Sequence, residues 1–276
     1  MRRLTRGWRY ARQSLAIVRQ DGALTALAAI GLALGLGLAA GPLVVAVWAF
    51  DAEKDVVGWV ASAATCLAFY VGLTYSGVAI ASAAAEVIGG RDAHVTASLG
   101  VAARRLRPIL GWCVFGTLVA LVLAVVRKKG GRAGSLMADV GGETWSLVTF
   151  LAVPIIAFEG LDPVSTLKRS ASLFRQKWGE QMGGTVSISL VFGLFSLPAL
   201  AVVFAGIALV VEGSRPAGFA VAIVGLLALA AVAVAGRAAS ATFGAILYGY
   251  ATNGEVPATI PRAELENVAL PASAAP

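Results

Sequence analysis

Three ionisable side chains, Glu86, Glu159 and Arg237, lie inside long apolar stretches of the chain. A charge in hydrocarbon needs a partner, a wet cavity or a stem long enough to carry its head to the interface. Counting helix rise at about 1.5 Å per residue brings all three to one margin, the inner ends of inward-going helices. This intramembrane charge cluster has two readings. Either Arg237 pairs with a glutamate and fixes helix packing, or the three groups belong to a polar site. The other polar groups at mid-span depth are the hydroxyls of Ser62, Thr65, Thr117, Ser187, Ser189 and Ser196, a type that often bonds back to its own helix backbone. Catalysis has little to stand on. The single histidine, His94, falls in a loop, which excludes a zinc site built from several histidines. No Walker loop, dinucleotide fingerprint or zinc-protease helix occurs. Cys66 and Cys113 both sit in apolar stretches at a spacing that fits no metal motif or expected disulfide. The expectation is a protein that is not an enzyme and uses no cofactor or metal.

Outside the apolar stretches the chemistry is cationic. Arg3, Arg6 and Arg9 precede the first stretch, Arg104 and Arg105 the third, and Lys168 and Arg169 the fifth. Each group accompanies apolar residues at helical spacing: Leu4, Trp8, Ala11, Leu15 and Val18, then Val95, Leu99, Ala102 and Leu106, then Val164, Leu167, Ala171, Phe174 and Trp178. Such segments are expected to lie in the headgroup plane as amphipathic helices, apolar side down. The seven cations are then the expected contacts to anionic lipid headgroups. Asp162 and Pro163 are residue types suited to an N-cap and a first helical turn. No nucleic-acid partner is expected, because the net charge of +7 is spread over short segments and leaves no soluble basic face.

The elements that must position these residues follow from composition. The chain is 276 residues long, 58% hydrophobic and 13% charged, against about 25% charged in soluble domains. Its apolar segments run Ala23 to Phe50, Val57 to Ile88, Pro108 to Val126, Thr144 to Phe158, Gly183 to Val211 and Ala217 to Tyr250. The predicted fold is all-α, a polytopic membrane helix bundle of about six transmembrane helices in three hairpins, each preceded by a basic amphipathic cytoplasmic helix. The recurrence suggests a degenerate internal repeat. The fourth segment is short and contains Pro154, so it reads as a kinked span or a re-entrant piece. With the N-terminus inside, fifteen Lys and Arg fall on the cytoplasmic side and six on the other, which places both termini in the cytoplasm of a plasma-membrane protein. The run from Arg127 to Arg132 goes against that bias. Trp48, Trp59 and Trp145 are expected near the outer boundary, and Trp8, Trp112 and Trp178 near the inner one. Residues 1–21 form the interfacial helix, 22–250 the membrane domain and 251–276 a cytoplasmic tail. The first apolar run is too long for a signal peptide and reads as an uncleaved span. Gly31, Gly35, Gly37 and Gly41 mark close helix packing.

Five stretches in order resemble one family: SLAIVRQDGAL at Ser14–Leu24, LGVAARRLRPILGW at Leu99–Trp112, VPIIAFEG at Val153–Gly160, LKRSASLFRQKWGE at Leu167–Glu180 and ILYGYATNGEVP at Ile246–Pro257. The family is one of prokaryotic six-span integral membrane proteins built on a domain of unknown function. Leu15 and Gly249 depart from its pattern, where an aromatic and a basic residue are expected. The resemblance implies a six-span membrane fold and no particular activity. The expected role is a non-catalytic membrane-organising or accessory component that engages anionic lipid at its cytoplasmic face. The alternative is a small-solute or ion transporter with Glu86, Glu159 and Arg237 at its inner mouth. Oligomeric state and protein partners stay open.

Overall fold

The computed structural model describes residues 18, 19, 21–131, 134, 142, 145, 149–178 and 188–254. Arg3, Arg6 and Arg9 of the N-terminal segment, and the tail beyond Gly254, lie outside them. The regular elements are α1 (Gly22–Asp51), α2 (Asp55–Ile88), α3 (Val95–Arg104), α4 (Leu106–Lys129), α5 (Ala152–Phe158), α6 (Pro163–Trp178), α7 (Ile188–Val211) and α8 (Arg215–Asn253). Among the described residues the protein is all-helical, and α1, α2, α4, α7 and α8 are long and apolar enough to cross a membrane. The fourth apolar segment contributes only the seven-residue α5 as a described helix. Five candidate spans are thus found among the described residues, and the first part of the fourth apolar segment lies largely outside them.

Local chemistry accounts for where the helices begin and end. A carboxylate oxygen of Asp21 accepts from the Ala23 N–H at 2.8 Å and caps α1. Pro216 occupies the first turn of α8, where its missing N–H costs nothing. Gly254, at φ +72°, closes α8 by returning its N–H to the Tyr250 carbonyl. Arg127, Lys128 and Lys129 form the last turn of α4. Cations there complement the negative end of the helix dipole, a local reason for the basic run that loop-charge counting leaves unexplained.

Glycine governs the approach of the long helices. A Cβ on Gly72 would meet the Gly35 backbone, and one on Gly31 would collide with the Ser76 side chain, so α1 and α2 cross in near-backbone contact. Gly206, Gly218 and Gly225 do the same between α7 and α8. Gly37 and Gly41 face open space, so only the first two glycines of that series serve internal packing. The α2 helix is the hub, packed on α1, α3, α4, α5 and α8. Its buried run Val78–Ala81 lies in one apolar core with Ile109, Ile155, Ile156, Phe174, Ala238 and Ile246.

Long-range bonds gather several helix ends at one face. The second Asp21 oxygen accepts from the Ala93 N–H at 2.8 Å, and the Tyr75 hydroxyl donates to the Leu99 carbonyl at 2.9 Å. The start of α1, the second half of α2 and α3 with the residues just before it are thereby joined. Arg105, between α3 and α4, reaches the end of α5, whose Phe158 stacks on Tyr248 near the end of α8. The N-terminal end of α1 and the C-terminal end of α8 therefore lie at the same face, called here the helix-end face.

Three expectations change. Trp112 and Trp145 stack at 6.0 Å with planes 7° apart, so they sit at one level and not at opposite boundaries. In the second amphipathic stripe the helix is interrupted at Arg105, which leaves Leu106 exposed on α4 while Ser98 and Ala102 are buried. In the third, Val164 is 50% exposed and the packed side carries Thr166, Ser170, Leu173 and Phe174. Helical periodicity located both helices and most of their packed side, with Val95, Leu99, Ala102, Leu167 and Phe174 at the core, but it missed Ser98, Thr166 and Ser170, whose short hydroxyl side chains fit the close contacts. The repeat is correspondingly uneven: α1–α2 and α7–α8 are hairpins of two long helices, whereas the described return limb after α4 is α5.

Candidate functional site

The helix-end face is organised around Glu159, immediately after α5. Both Glu159 oxygens accept from Arg169 Nε on α6, at 3.0 and 3.2 Å. One also accepts from the Tyr248 hydroxyl on α8 at 2.9 Å. The pair is partly wet, with side chains 38% and 25% exposed for Arg169 and Glu159. Arg105 completes the arrangement from another direction. Its Nε donates to the Ala157 carbonyl at 3.3 Å and its guanidinium to the Phe158 carbonyl at 3.2 Å, which satisfies carbonyls at the C-terminal end of α5. The chain can turn beneath it because Gly160 holds φ +66°, and a Cβ there would strike the Arg105 guanidinium. Asp162 then starts α6 by accepting from the Val164 and Ser165 N–H groups. Hydrogen bonds from the Ser165 hydroxyl and N–H hold its carboxyl below the usual carboxylate range. Four elements thus converge on one carboxylate and one helix end. Chemically the arrangement is a clamp, with the acid neutralised by a cation and a phenol.

Arg237 occupies a different environment. It lies on α8, 11 residues before Tyr248, about 16 Å along the helix. Its guanidinium donates to the Leu73 carbonyl of α2, an oxygen that also accepts from the Ser76 hydroxyl. Gly77 makes the approach possible, since a Cβ there would crowd Nη2 of Arg237 at 2.9 Å. Among the described residues no carboxylate pairs with Arg237, and its enclosed Nε has no hydrogen-bond partner. The side chain borders a cavity of about 480 Å³ between α1, α2, α7 and α8. Apart from Arg237, Ser196 and Ser240, that wall is apolar. Ser196 bonds to the Gly193 carbonyl of its own helix, as Ser62, Thr65 and Thr117 bond within theirs. Ser187 and the side chain of Ser189 lie outside the described residues.

The predicted charge cluster is therefore not assembled. Glu159 is satisfied without Arg237, and Glu86, near the end of α2, has no ion-pair partner among the described residues. Two of the expected headgroup contacts, Arg105 and Arg169, have internal partners, whereas Arg104 and Lys168 are exposed. His94 is exposed just before α3, and Cys66 and Cys113 are free thiols. Sequence reasoning missed Tyr248, Gly160, Gly77 and Asp21 as positioning residues. Three of these lay within the five quoted stretches, but their partners are dozens of residues away and no periodicity shows such pairings.

The model of a family of unknown function, DUF6159, matches residues 56–258. The chain belongs to this family. The DUF6159 region contains the whole Glu159 clamp and the Arg237 cavity lining from α2, α7 and α8, while Asp21 and the α1 lining precede it. No curated protein and no solved structure matches the chain.

Proposed function

We propose that this DUF6159 protein is a non-catalytic membrane-organising or accessory component whose helix-end face is cytoplasmic and engages anionic lipid. The observation that carries this reading is the placing of α3 and α6. Both short helices join the helix-end face, leaving Arg104 and Lys168 exposed on them, with Arg91 and Arg107 exposed nearby. Cations at that level attract anionic headgroups by about 1 kcal/mol each. The Glu159 clamp supports the same reading, since it fixes α5, α6 and α8 together and engages the carboxylate best placed for acid–base work. The loop-charge bias of the sequence supports a plasma-membrane protein with both termini inside.

The test is lipid analysis of the purified full chain. Replacing Arg104, Arg107 and Lys168 together by Gln should reduce copurifying anionic phospholipid while the fold, read by circular dichroism, is kept. Equal retention would overturn the proposal. Reporter fusions at Lys128 and at the C-terminus test orientation, and a cytoplasmic signal at Lys128 contradicts it. A small-solute or ion transporter is the second reading, supported by the cavity beside Arg237, although its mostly apolar wall suits a hydrated ion poorly.

A further inference from the structure

We infer that the cavity between α1, α2, α7 and α8 is a binding site for one anionic lipid, with an acyl chain along the apolar wall and the head phosphate on the Arg237 guanidinium. This site shares the anionic lipid with the reading above but none of its residues.

Pro216–Gly236 is a run of 21 uncharged residues, about 30 Å of helix and one hydrocarbon thickness. Arg237 follows it directly, so its cation stands at the end of the apolar layer nearer the helix-end face. The cavity wall on α8 extends from Ser240 back to Leu229, reaching about 12 Å from the level of the cation toward the middle of the span. A cation at one end of an apolar slot, parallel to the helices, has the shape and polarity of a lipid of that leaflet.

Charge makes the same point. A guanidinium removed from water is strongly disfavoured without an anion or a full set of acceptors. Arg237 has one carbonyl, and the enclosed Nε has nothing. A phosphate oxygen is an acceptor that guanidinium fits well, often through two donors at once. Access is lateral. Gly193 and Ala233, both cavity-lining, are exposed, and a cavity open between spans meets acyl chains in a membrane. The volume lies within the roughly 300–1,000 Å³ of small-molecule sites.

Gly193 also supplies a clean test, because a Cβ built there meets nothing within 4 Å. Leu at this lining position is expected to narrow the slot while leaving Arg237 unchanged in sequence and without loss of helix propensity. The full chain in neutral detergent is titrated with lysophosphatidylglycerol, and one-to-one adducts are counted by native mass spectrometry. Lysophosphatidylcholine controls for the head, and palmitate for a free carboxylate. The wild type should bind one lysophosphatidylglycerol at least tenfold more tightly than lysophosphatidylcholine. Gly193→Leu and Arg237→Gln should each weaken that adduct tenfold or more, and Arg237→Lys should keep part of the head preference. Should Arg237→Gln fail to fold, Gly193→Leu still decides. Equal binding of the two heads, undiminished binding to Gly193→Leu, or displacement of lysophosphatidylglycerol by equimolar palmitate would each overturn the assignment. Loss of general anionic enrichment in the Arg104, Arg107 and Lys168 variant, with the single adduct intact, would separate this site from the surface reading.

Discussion

Glu159 and Arg237 are both charged groups of an apolar helix bundle, yet their surroundings differ in kind. Glu159 has a guanidinium and a phenol on its oxygens, while a second guanidinium, that of Arg105, secures the helix end beside it. Arg237 has one backbone carbonyl and an apolar cavity. The first arrangement is complete and ties elements together. The second leaves donors over, and a donor left over at the edge of hydrocarbon marks where another molecule can supply the acceptor. Charge within a span is therefore no single signal, because its meaning lies in what remains unsatisfied.

The comparison can be broken at either end. The largest effect is expected from Glu159→Ala, which strands Arg169 and the Tyr248 hydroxyl. Hydrogen bonds to charged groups contribute about 2 kcal/mol each, part of which is lost to solvent screening at this exposure, so thermal unfolding in detergent should show a loss of about 2 kcal/mol. Gly160→Ala should follow at roughly 1 to 2 kcal/mol, the usual cost of a left-handed backbone for a residue with a Cβ. That variant must also displace Arg105. An unchanged midpoint would mean that the turn after α5 can be remade. Arg237→Met is expected to stay within about 1 kcal/mol of the wild type in lipid-free detergent, since replacing a poorly compensated charge by an apolar side chain of similar length is often neutral or stabilising. A large loss there would restore the structural ion-pair reading.

The smallest effect concerns Asp162 and pH. Its carboxyl titrates lower in the folded chain than the usual value of about 3.9. The cap's contribution is therefore fully present above that usual value, and it fades as pH falls through the lowered one. Asp162→Asn should remove this part of the acid dependence while leaving stability near neutrality almost unchanged, as measured by unfolding midpoints across the acid range.

Much of the fold was legible because apolar length and punctuation are local. Gly22–Asp51 and Asp55–Ile88 lie within two residues of the apolar runs read from the sequence, and Asp162–Pro163 starts α6 as its residue types suggest. The fourth segment was legible only as weak, short and with Pro154 inside it, open to a kinked span or a re-entrant piece. The site was partly legible. Its charged members could be found by type, but their pairing depends on α5, α6 and α8 meeting across gaps as long as the 89 residues between Glu159 and Tyr248. Arg105 and Arg169 looked like surface cations because their neighbours in sequence are surface cations, and only the chain turn at Gly160 brings them to internal acceptors.

On this reading the Glu159 clamp is closed while the Arg237 cavity accepts an anion. The most direct measurement is the thermal midpoint of three full-length chains, wild type, Glu159→Ala and Arg237→Met, with and without lysophosphatidylglycerol in neutral detergent. A lipid that binds only the folded state stabilises it by about 2.7 kcal/mol at a hundredfold excess over its dissociation constant. The midpoint should rise in the wild type and in Glu159→Ala, from a lower start, and should not move in Arg237→Met. A rise in Arg237→Met equal to that of the wild type would contradict the account.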